Sequence, residues 1–209
     1  MSDLNFDWVK NNFDEDLIFF EVGCMNMNDT VRLRQTMPKA KIYTFEASKD
    51  WLITNLILAI DYGFHHFPTA VSDIDGEVNF RSSISQYGHQ HLDSGSIFDL
   101  NPDDRQGKVY TDPYRVKSVR LETFCDRLNI TPDFIHIDVE GAEYKVFQNI
   151  GKHKPKCVWA EVCTFEHYAT GITRKQFDEL MYSIGYDKIY NAERDSLYCL
   201  KEHKVSPYK

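Results

Sequence analysis

Positive charge is scarce in this sequence: 24 Lys and Arg stand against 32 Asp and Glu, for a formal net charge of −8. A broad basic face for nucleic acid or an anionic bilayer is therefore not expected, and only a local basic pocket remains open. Long apolar runs are also missing. The longest lies near Leu52–Ile60, is interrupted by Thr54 and Asn55, and falls far short of the roughly 20 residues that span a bilayer. No charged start leads into an apolar stretch, so no signal peptide is read, and a cytoplasmic location without a membrane span is expected. The five cysteines (Cys24, Cys125, Cys157, Cys163 and Cys199) include no C-x-x-C pair. Their spacing suits neither a zinc site nor a disulfide framework, and reduced thiols packed in or near a core are expected. There is no internal repeat, low-complexity tract or linker, which predicts one domain over residues 1–209. Oligomeric state is left open.

What is present is ordinary for a globular protein, with 42% hydrophobic and 27% charged residues. Leu17–Val22 is a short apolar run closed by Gly23, as in a strand buried on both faces. A helix is predicted over Asp29–Met37, capped by Asn28 or Asp29, with Pro38 beyond it. Lys41–Phe45 reads as a second strand, Asp50–Tyr62 as a helix apolar on most faces and closed by Gly63, and His66–Val71 as a third strand. This alternation predicts right-handed parallel crossovers and an α/β sheet with helices on both faces. Glu77–Phe80 is a short strand, and Ser82–Asp112 a polar stretch expected to act as a lid or substrate loop. Val116–Arg120 alternates like an edge strand, and Thr123–Asn129 suggests a helix. Asp133–Asp138 and Cys157–Glu161 read as buried strands, separated by a helix over Ala142–Ile150. After an amphipathic helix at Arg174–Ile184, Tyr186–Asn191 and Ser196–Leu200 are predicted to pair as an antiparallel hairpin.

Four candidate parallel strands end in carboxylates: Glu21, Glu46, Asp138 and Glu161. Ligands of open α/β sheets bind beyond the carboxyl ends of the strands, near the point where strand order reverses. Acidic groups gathered there repel a phosphate-rich cofactor and suit one with hydroxyls and positive charge. S-adenosylmethionine, with its ribose diol, ammonium and sulfonium, fits that pattern. Glu46 follows Gly23 by a little over twenty residues, the spacing at which an acid in a nucleotide-binding unit reaches both ribose hydroxyls. A dinucleotide needs a G-x-G-x-x-G turn. The turn here, Gly23-Cys24-Met25-Asn26-Met27-Asn28, has a single glycine, which makes an NAD oxidoreductase a poor alternative.

Four of these segments carry a resemblance. Glu21-Val22-Gly23-Cys24-Met25-Asn26-Met27, Phe45-Glu46-Ala47, His136-Ile137-Asp138-Val139-Glu140-Gly141-Ala142-Glu143 and Val158-Trp159-Ala160-Glu161 resemble the motifs of the FkbM-type methyltransferases. The third is the most specific. The resemblance implies a Rossmann-like class I methyltransferase fold and O-methylation, often of sugars, including deoxyhexoses such as rhamnose or fucose. It further implies that Glu21, Gly23, Cys24, Asn26, Asp29 and Thr30 surround the methionine part of S-adenosylmethionine. Glu46 and Ala47 would lie at the ribose, Ser72 and Asp73 near the adenine, and Asp138 would face the sulfonium and the acceptor. Two positions depart from the family pattern. Met27 stands where a second glycine is usual, so the turn takes another path or Met27 packs over the cofactor, and His136 stands where lysine is usual.

Methyl transfer from a sulfonium is an in-line displacement in which positioning supplies most of the catalysis. A sugar hydroxyl needs a general base or a metal at neutral pH. His136 is a candidate base, the competing reading being a histidine turned into the sheet. Asp138, Glu161 and Glu140 are candidate ligands for a divalent cation, magnesium or manganese. Glu140, His167, Tyr87 and His89 are candidates for holding a sugar or glycan acceptor. A methyltransferase-shaped binding module without activity, and an O-methyltransferase acting on a non-sugar molecule, are the remaining alternatives.

Overall fold

The computed structural model describes residues 4–85, 94–99, 108–162 and 172–208. The elements in chain order are α1 (Phe6–Asn12), β1 (Ile18–Val22), α2 (Asn28–Thr36), β2 (Lys41–Phe45), α3 (Leu52–Tyr62, entered through a 3-10 turn at Lys49–Trp51), β3 (His65–Phe67), β4 (Ala70–Val71), β5 (Gly76–Phe80) and β6 (Ser83–Ser85). They continue with β7 (Lys108–Tyr110), β8 (Tyr114–Val119), α4 (Leu121–Leu128), β9 (Phe134–Ile137), α5 (Glu143–Phe147), β10 (Cys157–Glu161), α6 (Arg174–Ser183), β11 (Tyr186–Asn191) and β12 (Asp195–Leu200).

Seven strands form the main sheet in the order β3-β2-β1-β9-β10-β12-β11. The pairings from β3 through to β10 are parallel, and β12 runs antiparallel to both its neighbours. This is the expected α/β class, a mostly parallel sheet with a C-terminal antiparallel strand. The central strands alternate between two cores. On β1, Phe19 joins the cluster beneath α1 and α2 while Phe20 joins the one that includes α4, α5 and α6; on β10, Trp159 and Val158 divide in the same way. A strand covered on both faces has no polar side, which is why these segments read as continuous apolar runs.

Strand order reverses between β1 and β9, placing Glu21 beside His136 and Val22 beside Ile137 in register. The crevice beyond their carboxyl ends is the position where such sheets bind ligands.

Several local expectations are corrected. His66–Val71 is two strands: β3 extends the main sheet, while β4 joins a three-stranded sheet of order β4-β8-β5. Pro68 lies between them, and a residue without an N–H interrupts a ladder. For the same reason β8 is a central strand rather than an edge, paired with β4 on one side and β5 on the other. The cap of α2 is Met27, in the left-handed region (φ 59°) and without a side-chain cap bond, not Asn28 or Asp29. Cys157 and Cys199 face each other across β10 and β12 and form a disulfide, so the expectation of unpaired thiols fails for that pair and holds for the buried Cys24 and Cys125. Register between distant antiparallel strands, unreadable from cysteine spacing, created that pair. The polar stretch after Ser82 contains the β6–β7 hairpin and a bridge between Arg81 and Ser96. Sequence reasoning also passed over α1, which starts at the Asn5 cap and is held by the C-terminal tail through Trp8 Nε1 donating to the Ser206 carbonyl.

Candidate active site

Gly23 ends β1 at φ +84°, and a Cβ built there would lie 1.8 Å from the Asp138 carbonyl oxygen. Only glycine lets the turn pass this close to the end of β9. The Gly23 and Cys24 N–H groups both donate to the Phe45 carbonyl (2.9 and 3.0 Å), and the Asp138 N–H donates to the Val22 carbonyl (2.9 Å). The ends of β1, β2 and β9 are thus tied together through backbone alone. Met27, where the related motif has a glycine, keeps the left-handed conformation that favours glycine. Its side chain is wholly buried in the core beside Leu33 rather than over the cleft. The turn is preserved at a cost of about 1–2 kcal/mol for a residue with a Cβ.

Glu46 is held at both oxygens: Oε2 accepts from the Met25 N–H and Oε1 from the Ser48 N–H, each at 2.7 Å. Burial raises its pKa, opposed by the N–H groups of Ser48, Met25 and Ala47. Glu46 lines the cleft, and each of its oxygens retains capacity to accept a further hydrogen bond, which suits a diol. Behind it lies a slot with mainly apolar walls, including Phe45, Ala47, Val71, Phe80, Ile97 and Val139. A second, polar cavity of about 360 Å³ adjoins it, lined by Glu21, Cys24, Asn26, Asp29, His136, Glu161 and Arg194 among others. Gly23, Met25, Asp138 and Glu140 line both, so Asp138 stands at the junction.

Glu21 and His136 form a buried pair, with Nδ1 2.5 Å from Oε1. Burial raises the Glu21 carboxyl, opposed by His136; burial is also the largest influence on His136 and lowers it, but the charge and hydrogen bond of Glu21 together with the charges of Asp29 and Asp195 bring the imidazole above its ordinary value. Their outer atoms, Glu21 Oε2 and His136 Nε2, are buried without a hydrogen-bond partner, as is Asp138 Oδ1. Asp138 is pushed well above the carboxylate range by burial and by the charges of Glu140, Glu161, Glu143 and Asp195. Such a carboxyl favours its neutral form until a cation approaches.

Of the expected site residues, Glu21, Gly23, Cys24, Asn26, Asp29, Glu46, Ala47, His136, Asp138, Glu140 and Glu161 converge on these two cavities. Thr30 does not: it is fully buried in α2. Nor do Ser72 and Asp73, since Ser72 Oγ lies 2.8 Å from Ser118 Oγ and Asp73 pairs with Lys145 at 3.5 Å. Thr69, Ala70 and Val71, just before them in the chain, line the slot instead. Tyr87, His89 and His167 lie outside the described residues. Among the described residues no group of three or more His, Cys, Asp or Glu side chains is arranged to hold a metal ion. The cation expected at Asp138, Glu140 and Glu161 therefore finds no ligand set there, and Glu161 faces Arg194 at 3.6 Å.

Sequence reasoning missed Arg194, which reaches the cavity from the β11–β12 turn, and the supporting role of Glu143. Glu143 Oε1 accepts from the Val139 and Gly141 N–H groups (3.1 and 3.2 Å), holding a turn in which Glu140 has φ +51°. The E-G-x-E spacing was the available signal, because it places the second acid back over its own turn. The strap Ser94–Asp99 lies inside the stretch expected as a lid or substrate loop. Ser96 Oγ donates to the Glu140 carbonyl (2.8 Å), Ser94 lines the polar cavity, and Gly95 and Ile97 roof the slot.

A family model described as "Methyltransferase FkbM domain" matches residues 21–188. The 2-O-methyltransferase NoeI of Sinorhizobium fredii is 27% identical over 162 residues, covering 73% of this chain and 66% of that protein. This chain thus spans just under two thirds of that relative. Among solved structures, the methyltransferase FkbM from Methylobacillus flagellatus is similar at TM-score 0.52 and 13% identity, over 90% of this chain and 44% of that one. A putative rRNA-methylase from Clostridium thermocellum matches at TM-score 0.52 and 8% identity, over 97% and 94% of the two chains. At these identities the solved structures speak for the fold alone.

Proposed function

Because the chain belongs to the FkbM methyltransferase family and has the class I methyltransferase fold, we propose that it is an O-methyltransferase acting on a sugar hydroxyl of a glycan or glycoconjugate. One observation carries this reading: Asp138 stands between a slot edged by a diol-facing carboxylate and a polar cavity containing a buried Glu–His pair. The residues fit S-adenosylmethionine. Glu46 would take the ribose hydroxyls, Ala47 and Val71 would flank the base, and the unpartnered Glu21 Oε2 would meet the ammonium beside Gly23, Cys24, Asn26 and Asp29. When bound, that cofactor supplies an electrophilic methyl on a sulfonium.

The chain's own residues then have three tasks. Glu21 holds Nδ1 of His136, which leaves Nε2 with a lone pair toward the polar cavity to take the hydroxyl proton. Asp138, which favours ionisation only beside positive charge, answers the sulfonium from the junction and orients the acceptor oxygen. The Ser94–Asp99 strap and the apolar slot limit water at the reacting centre. No step is drawn through a divalent cation. Glu140 and the Glu161–Arg194 pair form the wall available to acceptor hydroxyls, with Tyr87, His89 and His167 as further candidates from the adjoining segments. A deoxyhexose such as rhamnose or fucose is the first acceptor to try, supported by the polar cavity and by the 2-O-methyltransferase name of the curated relative. Nucleic acid is disfavoured by the net charge of −8, not by the fold, which proteins titled as rRNA methylases share. No described helix is long and apolar enough to cross a membrane; we read residues 1–209 as one domain.

The test has two stages. S-adenosylmethionine or its demethylated product at about 100 times Kd should add about 2.7 kcal/mol of stability and raise the melting temperature by several degrees, while NAD should not. Labelled cofactor is then offered with deoxyhexose glycans and with non-sugar alcohols, with and without a chelator. Labelling of the non-sugar alcohols alone rejects the sugar. His136→Gln should slow transfer to a true acceptor about 10²–10⁴-fold with cofactor affinity retained.

A further inference from the structure

We infer that the outer face of α3 is the contact surface for a second copy of this chain, the two helices packing antiparallel about a two-fold axis. Ile53, Leu56, Ile57 and Ile60 are 68, 41, 54 and 82% exposed, and their i, i+3, i+4, i+7 spacing puts them on one stripe. The opposite side of the helix carries buried Asn55 and Ala59, and Asn55 Nδ2 donates to the Met25 carbonyl at 2.8 Å. The helix thus turns its polar anchor inward and its aliphatic side out, the reverse of an ordinary surface helix. Among the described residues the other large exposed apolar side chains are scattered, Ile74 in the β4–β5 turn and Leu128, Tyr182 and Ile189 each on a different element. Scattered residues need no account, whereas a contiguous stripe marks an interaction face.

Charge selects the occupant. Leu52–Tyr62 holds no Lys or Arg, and its one charge is the exposed Asp61. A helix that lies on an anionic bilayer carries basic residues on its flanks, and this chain has a net charge of −8. A second copy carries the same net charge, but the stripe it would present is uncharged, four aliphatic side chains with no acid among them. The stripe is symmetric about the point between Leu56 and Ile57, so a two-fold axis there sets Ile53 against Ile60 of the second copy and Leu56 against its Ile57. One patch then serves both partners, as a closed dimer requires. The antiparallel arrangement also brings Asp61 to the other helix's N-terminal end. That end is entered through a 3-10 turn capped by Ser48 and displays exposed Lys49, whose ammonium lies 4.4 Å over the Tyr114 ring, beside Asp50, which accepts from Ser82 Oγ (2.8 Å). A helix N-terminus and a lysine are both favourable company for a carboxylate.

Sedimentation velocity of the full chain over a range of concentrations should give twice the chain's mass. Ile57→Glu, at an exposed position outside both cavities, should halve that mass while the melting curve and the shift produced by S-adenosylhomocysteine stay unchanged; Ile57→Leu should remain dimeric. The register is read from cysteines: Ile53→Cys mixed with Ile60→Cys should cross-link under mild oxidation above the background of the parent chain, and Ile53→Cys alone should not. A monomer at every concentration, a dimer indifferent to Ile57→Glu, or self-linking of Ile53→Cys overturns the inference. So does flotation of the chain with phosphatidylcholine vesicles that is lost on Ile57→Glu, which would assign the stripe to a lipid surface.

Discussion

Replacing Gly23 with alanine tests the geometry on which the site depends. The added Cβ would sit 1.8 Å from the Asp138 carbonyl oxygen and 2.8 Å from its carbon. Opening that contact to about 3.2 Å requires a movement of about 1.4 Å between the β1 turn and the end of β9. Both partners are backbone in a close-packed interior, so no side chain can swing aside. The shift strains or breaks the bond from the Asp138 N–H to the Val22 carbonyl, worth about 1 kcal/mol. Holding alanine at positive φ adds about 1–2 kcal/mol. The sum, on the order of 2–3 kcal/mol, lowers the melting temperature by about 4–12 °C for a chain of this size. The same displacement carries Asp138 away from the junction, and an error of about 1 Å in a reacting geometry costs about 100-fold in rate. Thermal unfolding followed by circular dichroism reads the first effect, and calorimetric titration with S-adenosylhomocysteine reads the damage to the cleft without needing the acceptor. Gly63→Ala is the control. Gly63 also has positive φ (+68°) but meets nothing within 4 Å, so it should lose only the conformational part and bind normally. Equal losses at the two positions, or a Gly23→Ala protein with parental melting and affinity, would refute the reasoning.

Three further outcomes are expected. Glu46→Ala should weaken cofactor binding by about 10–100-fold and change turnover at saturation little, because its contacts are distant from the reacting atoms and it also releases the Met25 and Ser48 N–H groups; unchanged affinity in calorimetry contradicts this. Asp138→Ala should abolish transfer in a protein that still folds and unfolds cooperatively, and retained turnover removes Asp138 from the mechanism. Stability should fall as pH rises. Burial lifts Glu143 from 4.5 to about 8, so between those values the folded chain keeps a proton that the unfolded chain has released. Its contribution is complete below pH 4.5 and lost as pH passes 8. Glu143→Gln keeps an acceptor for the Val139 and Gly141 N–H groups and should flatten the decline in melting temperature between pH 5 and 8.5; an unaltered slope rejects the assignment.

Much of the fold was legible because the parallel core imposes strong local signals. A strand buried on both faces must be apolar at every position, and a parallel crossover must return through a helix, so Leu17–Val22 and Asp133–Asp138 announced themselves. Legibility failed where the signal is not local. The departure of β4 to another sheet, the central place of β8 and the pairing of Cys157 with Cys199 depend on which strands become neighbours, and alternation along one strand does not encode its partner. Ser72 and Asp73, expected near the adenine, follow directly on that departing segment and do not line the two cavities.

By its residues alone, the chain determined that acids would end four strands and that one glycine turn would follow the first, since side-chain type and spacing suffice for both. Only the tertiary structure decided that Glu21 pairs with His136. The two are 115 residues apart, and strand register brings them within 2.5 Å in a space where water cannot screen them. The same holds for Gly23, whose lack of a side chain acquires its meaning from a carbonyl on another strand.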